Sequence, residues 1–301
     1  MTRAAREGDV DLLLHSYSLR HYPLGHVFGI AREHGWDGIE LVLWHFDAER
    51  VEDELAAAVA LGGEYGVRIG CVGYAGRFTD GDAEVRAHSV AVTERTIRAC
   101  ARHGITLVNG WAGSLVRDPA DWRANGSAAA SPHHYELAAA AYQRLAKVAA
   151  ANGLRIAVET HPAAVHDTVT ATARLLAMID DPVVVANPDP GNTYVFGGAE
   201  RDPAVLDLLA GRIGYFHMKN CLPGEGQANF NVDTAYGCID NVAWLTRLTA
   251  LGPIPSLAIE YCGEGDAHPV LAAAPGYARR CLSLADRLLA GTPAAQAERS
   301  S

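Results

Sequence analysis

Lysine is nearly missing from this 301-residue chain: Lys147 and Lys219 are the only two, and no run of Lys or Arg occurs anywhere. Duplex-binding proteins draw much of their affinity from basic contacts to phosphate, so the absence of a basic patch, with a net charge of −10, speaks against nucleic acid as a partner. No C-x-x-C pair is present, and Cys71, Cys100, Cys221, Cys238, Cys262 and Cys281 lack the density of a small disulfide scaffold. Reduced thiols packed as small apolar residues are expected. No apolar run approaches the length of a membrane span; the apolar stretch 10–14 is too short even for a signal peptide. A cytoplasmic protein without membrane contact is the expectation. Nor does a Gly-rich phosphate cradle or a Pro/Ser-rich linker appear. A non-phosphorylated substrate is therefore favoured, although Arg77 and Arg117 remain candidates for catching a phosphate.

What is present repeats. Eight short apolar runs, at 10–15, 38–43, 68–74, 105–110, 155–161, 183–187, 213–219 and 256–261, show little polar alternation, as strands buried on both faces do. Helix-like segments separate them, at 26–34, 49–65, 82–102, 134–152, 168–179, 203–212 and 240–251, and another at 270–289 comes after the last run. Gly35, Gly66, Gly104 and Gly153 each close a helical segment just ahead of a strand. Strands alternating with helices imply right-handed parallel units, and eight such units in one chain imply a closed α/β barrel, a single (β/α)8 domain over 1–301. The irregular stretch 112–132, with Trp122, is expected to be a lid loop, and 292–301 a flexible tail.

Barrel chemistry stands at the C-terminal ends of the strands. Those ends carry His15, Glu40, Tyr74, Asn109, Glu159 with His161, Asp189, His217 with Lys219, and Glu260. Several carboxylates in one barrel mouth are costly without positive charge, and Lys219 alone cannot balance them. Glu159, Asp189, His217 and Glu260, from four successive strands, are the expected ligands of one divalent cation. Three carboxylates and one imidazole suit Mn2+ foremost, with Mg2+, Co2+ or Zn2+ as alternatives. His161 lies two residues beyond Glu159 and is a candidate general base. Lys219 is read as contacting substrate or pairing with Glu159, and Glu40 as binding sugar hydroxyls or pairing with a loop arginine. Asn109, Asn187 and Asn192 are candidate donors that orient the ligands, Asn109 and Asn192 also candidate substrate contacts. Tyr17, Trp44, His45 and Trp111 are candidates for a wall against the substrate, and His133 and His134 for the start of the fourth helix.

At these residues the chain resembles the xylose isomerase-like superfamily of barrels, the sugar phosphate isomerases/epimerases, over nearly its whole length. Gly38-Ile39-Glu40-Leu41, Asp189-Pro190-Gly191-Asn192, His217-Met218-Lys219-Asn220 and Gly237-x-x-Asp240 are similar to its motifs, Asn220 departing from the usual acid. The resemblance implies proton abstraction next to a carbonyl through a metal-stabilised enediolate, with Glu159 and Glu260 as the acid/base pair, hence an epimerase or isomerase of a keto-sugar or related polyol. A lyase is the alternative, either inosose dehydratase-like or the barrel subunit of a C-glycoside or 3-keto-glycoside cleaving enzyme, with His161 as base. A non-catalytic binding barrel is the third reading. The resemblance implies a homodimer, or a hetero-oligomer for the lyase. The superfamily's DNA-repair branch builds a multi-zinc cluster from further histidines, and Asn192 stands where that branch has one.

Overall fold

The computed structural model describes residues 10–116, 124–224 and 228–291. The expected tail at 292–301 and the centre of the expected lid, 117–123, lie outside the described residues. The chain forms, in order, β1 (Asp11–His15), α1 (Leu24–Glu33), β2 (Gly38–Leu41), α2 (Val51–Tyr65), β3 (Ile69–Ala75), α3 (Ala83–Arg102), β4 (Leu107–Trp111), α4 (Pro132–Ala151), β5 (Arg155–Glu159), α5 (Val169–Ile179), β6 (Val184–Asn187), the short α6 (Pro190–Thr193), β7 (His217–Met218), an antiparallel hairpin β8 (Leu222–Pro223) and β9 (Ala228–Asn229), α7 (Asn241–Leu251), β10 (Ser256–Ile259) and α8 (Ala267–Ala290).

Eight strands pair in parallel in the order β6-β5-β4-β3-β2-β1-β10-β7. First and last units meet where Leu14 pairs with Ile259 on one side and Ile39 on the other. The ring closes between β6 and the approach to β7, through the parallel bridge Ala186–Ile213 and the hydrogen bond from His217 N to Pro188 O, 3.2 Å. The fold is thus a (β/α)8 barrel.

Two expected elements differ. Of the seventh run, 213–219, only His217–Met218 is ladder-paired strand, because the seam with β6 is made by single bonds. The segment expected as a helix at 203–212 is a 3-10 helix, Pro203–Leu209. It has barely two turns before Gly211 takes φ 73°, too short to repay α-helix nucleation. Gly35, Gly66, Gly104 and Gly153 all have φ near 70°, which only glycine adopts at little cost.

Strand side chains alternate between two cores. Leu12, Leu14, Ile39, Val108, Ile156, Val158, Val184 and Ile259 face outward into the layer under the helices. Leu13, Cys71, Leu107, Ala157, Val185, Tyr215 and Ala258 face inward and form a separate buried cluster that plugs the barrel. The period of two residues then sets the next inward layer. Two residues beyond the plug stand His15, Asn109, Glu159, Asn187, His217 and Glu260, with Glu40 two beyond Gly38, which closely approaches Leu13. All are buried. The polar ring at the mouth is thus a continuation of the same strands.

Candidate active site

The four expected ligands converge. One ligand atom from each of Glu159, Asp189, His217 and Glu260 lies within 4.8 Å of all the others. His217 Nδ1 is 3.5 Å from Glu159 Oε1 and 3.6 Å from Asp189 Oδ2, is buried, and has no hydrogen-bond partner. An orphaned buried nitrogen facing carboxylates is costly by itself and is what a metal ligand looks like. Its other nitrogen, Nε2, is 2.9 Å from Glu40 Oε2, the carboxylate–imidazole pairing that orients metal-binding histidines. The residues therefore fit a divalent cation.

Charge makes the same case. Four carboxylates (Glu40, Glu159, Asp189, Glu260) face Lys219 and His217. Burial opposes the charge on Glu260, yet Lys219 and His15 outweigh it and hold the carboxyl down to about 2. Burial is likewise overcome at Glu159 by His217, and at Glu40 by His217 and His15, so both stay ionised. His217 and Lys219 are held well above their ordinary values: burial works against each charge, but Glu40 and Glu159, and Asp189 and Glu260, prevail. Even with both bases protonated the cluster is anionic, which a divalent cation offsets.

Local sequence explains how the ring is held. In Asp189-Pro190-Gly191-Asn192, Asp189 Oδ1 caps α6 by accepting from Asn192 N at 3.0 Å, and Pro190 opens the helix. A Cβ on Gly191 would meet Lys219 Cγ at 2.4 Å, so glycine here makes room for the lysine stem. Asn192 Nδ2 donates to Glu159 Oε1 at 2.9 Å. Asp189 N donates to Thr160 Oγ1 at 2.7 Å, tying β5 to the loop after β6. Asn220 serves the chain rather than the cavity. Its Oδ1 accepts from Cys221 N and Ile239 N, both 2.9 Å, and its Nδ2 donates to Thr234 O, 2.9 Å. A Cβ on Gly237 would strike that same Oδ1 at 2.0 Å. Asp240 caps α7.

The cavity above the ring has a volume of about 490 Å³. Glu159, Glu260, His15, Glu40, Asn109, Asn192 and Lys219 line its floor, and Tyr17, Trp44, Tyr74, Trp111, His161 and Phe230 are among its walls. His161 stacks on Trp111, centroids 4.1 Å apart, and its Nδ1 donates to Pro162 O at 2.7 Å. In the neutral ring Nε2 therefore carries the lone pair. Lys219 pairs with Asp189 Oδ2 at 2.9 Å and with Glu260, and donates to Asn192 Oδ1 at 3.2 Å; the expected Glu159 partner is not the one it takes. Among the described residues Glu40 meets no arginine. It is fully buried and accepts from Tyr215 Oη, 2.8 Å, and Asn109 Nδ2, 2.9 Å. Asn187 holds Asn109 in turn, 3.0 Å. Trp44 is 61% exposed at the mouth, edge-on to Tyr17. His45 is not brought to the cavity wall; its Nε2 is 3.2 Å from Tyr22 O. His134 takes part in the capping box that opens α4, with Ser131. Arg77 pairs with Asp80 instead of facing the cavity.

Three site residues were not singled out as such by the sequence. His15 stands 3.4 Å from Glu260 Oε1 and 3.7 Å from Glu40 Oε1; its strand-end position was the available signal. Tyr215 sits one inward step below His217 in the same run. Phe230 comes from the segment after β9, with Lys219 Nζ 5.4 Å from its ring, and no periodicity announces it.

The described flanks of the expected lid are anchored. Ala112 N donates to His166 Nε2 at 3.0 Å, Val116 N to Asn125 Oδ1 at 2.9 Å, and Ser127 N to Asp167 Oδ2 at 3.0 Å. Among the described residues no helix is long and apolar enough to cross a membrane.

The family described as xylose isomerase-like TIM barrel matches residues 28–281. No curated protein sequence matches significantly. Solved structures are similar in fold. L-ribulose 3-epimerase superposes with a TM-score of 0.72 at 18% identity, covering 95% of this chain and 99% of its own. A xylose isomerase-like TIM barrel protein from Mycobacterium smegmatis in complex with magnesium gives 0.72 at 18% identity, over 94% and 99%. A probable 3-DHS dehydratase from Bacillus anthracis gives 0.66 at 18% identity, over 88% and 97%.

Proposed function

The chain belongs to the xylose isomerase-like TIM barrel family, and from that premise we propose that it is a divalent-metal-dependent epimerase or isomerase of a keto-sugar or related polyol. The observation that carries the reading is the orphaned Nδ1 of His217, turned toward Glu159 and Asp189 while Glu40 holds its other face. Glu159, Asp189, His217 and Glu260 are the ligands. When bound, the ion supplies Lewis-acid charge to a carbonyl and its neighbouring hydroxyl. Mn2+ is the preferred ion, and the complex of one structural relative with magnesium supports a hard, oxygen-rich site.

Glu159 and Glu260 are the acid/base pair. Both are ionised across the neutral range, so either can accept a proton from carbon next to the carbonyl, and the one on the opposite face returns a proton it has first taken from solvent. Their low basicity requires a substrate carbon acidified by the bound charge. Asn192 fixes one oxygen of Glu159, with Asn109 at 3.4 Å from the other, and Lys219 fixes one oxygen of Glu260, with His15 at 3.4 Å from the other. Lys219 is then a positioning residue. Trp111, with His161 stacked on it, and Trp44 offer flat apolar surfaces to a sugar face.

A lyase is the second reading, favoured by His161. Its lone-pair nitrogen belongs to a ring on the cavity wall, outside the ligand set. A base there suits abstraction and then loss of a β-substituent, and a probable dehydratase is among the structural relatives.

Both are tested together. Metal content is measured by elemental analysis on the wild type and Glu260→Gln, and a panel of keto-sugars and inososes is incubated in deuterated water. One divalent ion fewer per chain in the variant than in the wild type, with C–H exchange and unchanged formula in the wild type, is the expected result. Loss of water or an aglycone, abolished by His161→Asn, selects the lyase. A wild type that binds no more divalent ion than Glu260→Gln overturns the proposal.

A further inference from the structure

Outside the cavity, the first turns of α1 and α8 bring two imidazoles edge to edge. His26 Nε2 lies 2.8 Å from His268 Nε2. The second nitrogen of His268 is committed: Nδ1 is 2.6 Å from Asp266 Oδ1 and donates there, so in the neutral ring Nε2 presents its lone pair to His26. Asp266 is itself fixed as the cap of α8, accepting from His268 N at 3.0 Å. Tyr22 packs both rings in place, stacked on His26 at 4.6 Å and edge-on to His268 at 5.1 Å. The arrangement has three properties of a histidine metal site: two converging ring nitrogens, a carboxylate that sets the tautomer from behind, and packing that immobilises the rings beforehand.

We propose that His26 and His268 form a second metal site, taking Zn2+ from solvent and joining α1 to α8. Two imidazoles select a borderline transition ion such as zinc over the hard ions suited to the carboxylate-rich cavity. Tetrahedral zinc with nitrogens at 2.0–2.1 Å sets those nitrogens about 3.3 Å apart. The pair therefore opens by about half an ångström, within side-chain rotation, and releases the hydrogen it shares. Water completes the coordination, since the Asp266 and His268 side chains are 67% and 31% exposed. The Asp266 carboxylate offsets the ion's charge at a helix start, where a cation is otherwise disfavoured. The site spans the junction between the first and last units of the barrel, whose strands β1 and β10 are paired. Bound zinc thus fastens the two ends of the chain's barrel across that junction. None of His26, His268, Asp266 or Tyr22 lines the cavity, so the site is independent of the proposed function.

Zinc binding is measured by titration calorimetry and by elemental analysis after dialysis, on wild type, on E260Q, and on E260Q carrying H26A, H268A or D266N. The expected result is one zinc per chain in E260Q, none once H26A or H268A is added to it, and at least tenfold weaker binding once D266N is added. In the E260Q background, zinc raises the thermal midpoint, and adding H26A removes that rise. The midpoints of the variants without zinc verify that they are folded. The proposal is overturned if E260Q takes up no zinc, or if adding H26A or H268A leaves E260Q binding as much zinc as before. Loss of cavity metal in E260Q tests the proposed function separately.

Discussion

Glu40→Gln tests whether the imidazole of His217 is a ligand held from behind. Glu40 is fully buried, and each of its oxygens is used: Oε2 by Tyr215 Oη and His217 Nε2, Oε1 by Asn109 Nδ2. The amide is isosteric but neutral. Its oxygen accepts from Tyr215 and His217 only if its NH2 then faces the NH2 of Asn109, leaving a buried donor mispaired at about 1–3 kcal/mol. The bond to His217 also loses its charge assistance, which makes the ring a poorer ligand. Changes in such supporting partners lower metal affinity about 10- to 100-fold, about 1.4–2.8 kcal/mol. Calorimetric titration of the apoprotein with Mn2+ and Zn2+ reads this directly. A 10- to 100-fold weaker binding constant, with activity restored at saturating metal, is expected. An unchanged affinity refutes the reasoning, because it means that Nε2 of His217 does not govern what Nδ1 binds.

Gly191→Ala places a methyl 2.4 Å from Lys219 Cγ; the lysine must shift away from Asp189 and Glu260. Destabilisation of about 1–3 kcal/mol is expected from overpacking, with weakened metal binding, and denaturant unfolding together with metal titration checks both. The pH dependence of stability has one traceable source in His166. Burial first, then the neighbouring His161, lowers it from 6.5 to about 4, and its Nε2 must stay unprotonated to accept from Ala112 N. Between those values the unfolded chain holds a proton that the folded chain refuses, so stability is full above pH 6.5 and is lost as pH falls toward 4. The loss reaches about 3 kcal/mol; urea unfolding at pH 7 and pH 4.5 should show it in wild type and a smaller slope in His166→Asn.

The barrel was legible because each strand of its ring is short, apolar and paired with a helical segment, several of which end in glycine. The convergence of Glu159, Asp189, His217 and Glu260 was legible because barrel strands keep period two. Once Ala157 and Ala258 point inward, Glu159 and Glu260 do so as well, and a buried carboxylate must be compensated. Partner choice was not legible. Whether Lys219 reaches Glu159 or Glu260 depends on Gly191 leaving its stem a path, and whether Glu40 meets an arginine or His217 depends on where β2 and β7 stand across the ring. His45 sits beside Trp44 in sequence, yet its ring turns to the Tyr22 carbonyl, since the turn after β2 is not a strand and imposes no alternation. Phe230 reaches the cavity from a hairpin far along the chain from most of the residues it covers.

That hairpin is closed at its base. Asn220 and Gly237 clasp the stem of the segment from Cys221 to Cys238 immediately after Lys219. The stem therefore separates two kinds of heritable change. Below it, a substitution alters the charged ring and is felt by every partner in it. Beyond it, the hairpin can lengthen, shorten or exchange Phe230 for another side chain while Lys219 keeps its place. Selection can thus act on what the cavity admits without touching what the cavity does.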